Sequence, residues 1–159
     1  MKQKLTNLAV GELVAVVVFW IDFFLFKKLI TTTKSLISIS FSLFILSFIL
    51  IQGSIFWCIL IKRISKPGFA SKYTGKIYNK LKILDVILLC MGVLVIILNY
   101  STFFTMVLSF TIWIFAVIEW VNYYKLQLSY SLNPVVLLKY IMQRKLRKSK
   151  IANEIDKSI

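Results

Sequence analysis

The amino-acid sequence predicts an all-α integral membrane protein: a four-helix bundle with both termini in the cytoplasm, followed by a basic amphipathic helix on the cytoplasmic face. Three observations carry this expectation. Of 159 residues, 59% are hydrophobic and 16% charged, with a mean hydropathy of +0.84, whereas soluble domains run at about 45–50% and about 25%. Four apolar runs reach the length of a bilayer crossing, about 20 residues at about 1.5 Å rise through a core about 30 Å thick. The twenty Lys and Arg lie mostly in alternate gaps between those runs. A chain of this size cannot bury so much apolar surface in one core, which excludes a water-soluble enzyme.

The first span covers about 8–26 and is interrupted only by Glu12 and Asp22. Its length and the lack of a small-residue cleavage site make it a retained span rather than a signal peptide. The second, 35–61, holds no charge, and Ser38 and Ser42 form a small-xxx-small pair suited to close helix contact. Gln52 is its one strongly polar residue near mid-membrane, expected to hydrogen-bond inside the bundle. The third span is read over 83–100 and the fourth over 103–124, and neither contains Pro. Between the second and third spans, Pro67-Gly68 marks a turn, and 69–82 reads as an interfacial helix leading into the third span. Cys58 and Cys90 make no CxxC pair and are expected to pack in the core.

Orientation follows from the basic residues. With both termini and the 62–82 loop inside, seventeen Lys and Arg face the cytoplasm and three, Lys27, Lys28 and Lys34, face outward. Trp20 and Tyr100 then fall near the outer interface, and Trp57, Trp120, Tyr123 and Tyr124 near the inner one, as an aromatic belt would; Trp113 does not fit it. The segment 131–159 forms a cytoplasmic basic tail. Asn133 suits an N-cap and Pro134 a first turn, after which Val135, Leu138, Met142 and Leu146 recur at helical spacing. Lys139, Arg144, Lys145, Arg147 and Lys148 fill the polar face and are candidates for anionic-lipid contact.

Candidate functional residues are the polar groups within the spans, where ionisable side chains are costly. Glu12, Asp85 and Glu119 share the cytoplasmic side and are expected to gather beside Lys80, Lys82 or Lys125, whereas Asp22 lies near the outer side with Lys27 and Lys28. At 100° per residue Glu119, Asn122, Tyr123, Gln127 and Tyr130 share one arc, a polar stripe that must face protein or water.

The segment Glu119-Trp120-Val121-Asn122-Tyr123-Tyr124, with Gln127-Leu128-Ser129-Tyr130 and the basic tail after it, resembles a group of small four-span membrane proteins of low-GC Gram-positive bacteria. Those proteins carry an E-[YW]-[IV]-N-Y-[FY]-x-x-Q-L-x-Y-like segment. The resemblance covers about the last forty residues and implies a bacterial cytoplasmic membrane location, without an activity.

No enzyme is expected. The chain has no His, no paired nucleophile and base, no carboxylate cluster for Mg²⁺ and no phosphate loop, and neither cofactor nor metal is called for. Nothing in the basic segments resembles a nucleic-acid-binding platform. The leading expectation is a non-catalytic accessory, stress or immunity module. Its cytoplasmic side would bind anionic headgroups of the membrane lipid, a membrane-protein partner or a second copy of the chain. The alternative is a small proton-coupled transporter of cationic compounds, since four spans with an acid in the first are superficially similar to the small multidrug resistance family. Glu12 is shallower than in that family, and the loops here are longer and more basic.

Overall fold

The computed structural model describes residues 2–30, 32–66, 69, 71–125 and 149–156. Among them every regular element is a helix. Helix α1 is Lys2–Phe26, α2 Thr33–Ser65, α3 Ser71–Leu98, α4 Phe103–Tyr124 and α5 Lys150–Asp156. The first four are long and apolar enough to cross a membrane. The expected spans all fall within them, save the last residues of the third, where α3 stops at Leu98. The interfacial helix expected before the third span is the start of α3 itself, with no break at position 83.

Short connections make successive helices antiparallel. Lys27–Leu29 forms a single 3-10 turn between α1 and α2, and Asn99 to Thr102 turn the chain from α3 into α4. Thr102 enters α4 from an extended conformation (φ −129°, ψ 149°), and its carbonyl accepts from the Met106 N–H. One end of the bundle therefore gathers the start of α1, the end of α2, the start of α3 and the end of α4.

Helix α2 is the hub and packs against α1, α3 and α4. Its composition explains this. Ser35, Ser38, Ser42, Ser47, Gly53 and Ser54 are all buried, and small residues let backbones approach where lipid removes any hydrophobic drive between helices. Ser38 and Ser42 are both buried, and Ser42 Oγ donates to the Ser38 carbonyl one turn back on the same helix at 3.0 Å. Ser54 Oγ donates to the Ala9 carbonyl of α1 at 2.9 Å, and Ser35 Oγ to Thr105 Oγ1 of α4 at 3.2 Å. Trp113 ties α4 to α3 by donating from Nε1 to the Leu89 carbonyl at 2.9 Å. That bond explains its place away from any belt.

Two expectations fail. Cys58 and Cys90 are exposed rather than packed in the core, because a small apolar side chain suits the lipid-facing side of a span as well as the inside. Trp57, Tyr123 and Tyr124 are buried rather than arranged as a belt, since their N–H and O–H groups have acceptors within the bundle.

Candidate functional site

Two polar clusters flank the middle of α2 near the end where the termini meet. Gln52 and Gly53 are successive residues of α2, and Tyr123 and Tyr124 are successive residues of α4. Successive helical residues point about 100° apart, so each tyrosine takes one side.

On the α3 side, Asp85 is fully buried, and its Oδ1 accepts from Gln52 Nε2 at 2.8 Å. Tyr124 Oη donates to Gln52 Oε1 at 2.7 Å, and Tyr78 Oη donates to the Gln52 carbonyl at 2.7 Å. Gln52 is thus the interior hydrogen-bonding residue that its position predicted. This network joins α2, α3 and α4 in a place that water does not reach.

On the α1 side, Trp57 Nε1 donates to Glu12 Oε1 at 2.7 Å, and the Tyr123 hydroxyl lies beside the same carboxylate. Gly53 makes the arrangement possible. A Cβ there would run into the Tyr123 ring and hydroxyl and come within 2.8 Å of Glu12 Oε2. Glu119 lies one turn before Tyr123, and its Oε2 accepts from Asn122 Nδ2 at 3.3 Å. Glu12, Glu119, Asn122, Tyr123, Asn7 and Gly11 line a cleft of about 380 Å³ between α1 and α4, floored by Leu50 of α2.

Helix α5 lies against this end of the bundle. Ser149 Oγ donates to the Tyr123 carbonyl, and the Ser149 N–H donates to the Lys125 carbonyl at 3.3 Å. Lys150 Nζ sits 5.5 Å from the centre of the Trp57 ring, while Ile151 and Ile155 enter the core. Arg63 ties the end together by pairing with Glu154 at 2.9 Å and donating to Thr74 Oγ1 at 2.9 Å and the Phe69 carbonyl at 3.0 Å. Ser149, Lys150 and Ile151 line a pocket of only about 50 Å³ above Glu12 and Trp57. The cleft is therefore narrow beneath α5 and opens sideways, where Gly11 and Ile118 are exposed.

The sequence-derived set is divided by the structure. Glu12, Glu119, Asn122 and Tyr123 come together. Asp85 does not join them, because α2 stands between. No carboxylate of this group pairs with Lys80, Lys82 or Lys125, and among the described residues the one ion pair within 4 Å is Arg63–Glu154. Asp22 is exposed without the expected ion pair to Lys27 or Lys28, and it lines an apolar cleft of about 610 Å³ between the C-terminal half of α1 and the N-terminal half of α4. Gln127, Tyr130, Lys139, Arg144, Lys145, Arg147 and Lys148 lie outside the described residues, as does the helix expected from Asn133. Sequence reading missed Trp57 and Gly53 as site residues, and it missed the closure by Ser149 and Lys150. Only a Gly and a Trp four residues apart on the acid-free second span hinted at it.

The architecture is that of a helical bundle with four membrane-length helices and an acidic cleft at one end. No protein family, characterised protein or solved structure matches the chain.

Proposed function

We propose that this chain is a non-catalytic module of a bacterial cytoplasmic membrane, threaded with both termini inside, that holds a membrane-borne partner in the cleft between α1 and α4. One observation carries the reading: Glu12 and Glu119 line a sideways-opening cleft within a membrane-length bundle, with no basic side chain paired to either among the described residues. Ionisable groups at such a depth face protein, water or a ligand, because lipid tails cannot solvate them. The exposed Lys2, Lys4, Lys62, Lys66, Lys76, Lys80 and Lys125 surround the same end. They support the cytoplasmic orientation and seating on anionic headgroups, at about 1 kcal/mol per residue near the surface.

Native mass spectrometry of the protein, released gently from its own membrane with lipids retained, tests this reading. A stoichiometric bound species is expected with the unaltered chain. It should be lost when Glu12→Gln, Glu119→Gln and Asn122→Ala are combined, with insertion unchanged. Retention by the triple variant, or no bound species at all, refutes the reading.

A further inference from the structure

The acidic cleft and the apolar cleft lie along one seam. Both are bounded by α1 on one side and α4 on the other, over α2. The acidic part uses Glu12 and Glu119, and the apolar part uses Phe19, Phe23, Phe26, Phe104 and Phe115, with the exposed Asp22 as its one charged lining residue. Along α1, Glu12 and Phe19 are seven residues apart, about 10 Å; along α4, Glu119 and Phe115 are four apart, about 6 Å. A polar pole thus continues into a greasy trough within reach of a single alkyl chain.

We propose that this seam is a binding site for a single-chain amphiphile with a cationic head, which enters from the bilayer. The head lies between Glu12 and Glu119, and the chain runs along the phenylalanines toward Phe26 and Phe104. This inference rests on reading the cleft as the partner-binding face, and it adds the partner's chemical class and route.

Three observations select this occupant. The first is charge: two carboxylates without a basic partner among the described residues complement a cation and repel a phosphate or sulfate head. The second is size, because clefts of about 380 and about 610 Å³ fall in the range of small-molecule sites, whereas a partner helix is about 10 Å across with its side chains. The third is access. Ser149, Lys150 and Ile151 narrow the site beneath α5, while at Gly11 an added Cβ would meet nothing within 4 Å. Among the described residues the remaining mouth lies between α1 and α4 at Gly11 and Ile118, on the face that lipid would cover in a bilayer. With the termini inside, the head would lie at the inner boundary and the chain toward the bilayer centre, as for any inner-leaflet amphiphile.

The probe is dodecyltrimethylammonium carrying a diazirine in its chain, added to the full-length protein in phosphatidylcholine nanodiscs, irradiated and mapped by peptide mass spectrometry. Saturable labelling is expected within 19–26 of α1 and 104–115 of α4. It should fall at least tenfold in the Glu12→Gln/Glu119→Gln variant and in Gly11→Phe, and the matching diazirine-bearing dodecanol should label at least tenfold less. A Cβ at Gly11 meets nothing within 4 Å and glycine is a poor helix former, so Gly11→Phe starts its side chain without a backbone clash at a position that lines the cleft. Even labelling over all exposed helix faces, equal labelling by the neutral probe, or undiminished labelling of Gly11→Phe overturns the assignment. So does a stoichiometric protein, or a second copy of the chain, as the species whose retention needs Glu12 and Glu119. In that case the partner-binding reading survives and the amphiphile does not.

Discussion

At position 53 a side chain would collide with the Tyr123 ring, so the absence of one is what lets α4 bring its tyrosine to Glu12. Overpacking a close helix contact costs about 1–3 kcal/mol. Gly53→Ala should therefore lower the unfolding temperature in detergent, and Tyr123→Leu added to it should restore part of the loss. A neutral effect of Gly53→Ala would mean that the Tyr123 ring moves aside freely. Much of this residue-scale chemistry was legible beforehand: a carboxylate or amide in a span must find partners, which singled out Glu12, Asp85, Glu119, Asn122 and Gln52. Which partner each would find was not legible. Glu12 bonds to Trp57, a residue that hydropathy alone assigns to the lipid interface.

At the scale of the element, α5 shows how seven residues are held in place. Glu154 pairs with Arg63 while both side chains remain partly exposed, at 19% and 15%. Such a pair contributes at most about 1 kcal/mol. Ile151 and Ile155 are buried, and truncating a buried Ile to Ala costs about 2–5 kcal/mol. Hydrogen exchange over 150–156 should consequently rise about fivefold or less in Glu154→Gln and by well over tenfold in Ile155→Ala. The reverse order would show that charge, not packing, docks the helix. This element was only partly visible in the sequence. Ile151 and Ile155 stand four apart, the spacing of one helical face, but periodicity gives no clue to which surface that face meets.

For the whole molecule, the threading makes a direct prediction. With Cys58 and Cys90 replaced by Ala, a cysteine introduced at exposed Thr102 should react with a membrane-impermeant maleimide in intact cells. One at exposed Lys76 should react only after permeabilisation. Labelling in the opposite sense would invert the bundle and move the acidic cleft to the outer face.

The sequence by itself determined that the chain is helical, that four of its helices are long enough to cross a bilayer, and that polar residues accumulate toward one end of them. Those properties depend on length, hydropathy and the order of residues along each helix. Only the tertiary structure decided that α2 is the hub, that Asp85 is walled off from Glu12, that both cysteines face outward, and that α1 and α4 leave a seam between them. The physical reason is that apolar side chains against lipid and against protein look alike to hydropathy. What separates them is close packing at serine and glycine contacts and the geometry of a few buried hydrogen bonds, and neither exists until the helices meet.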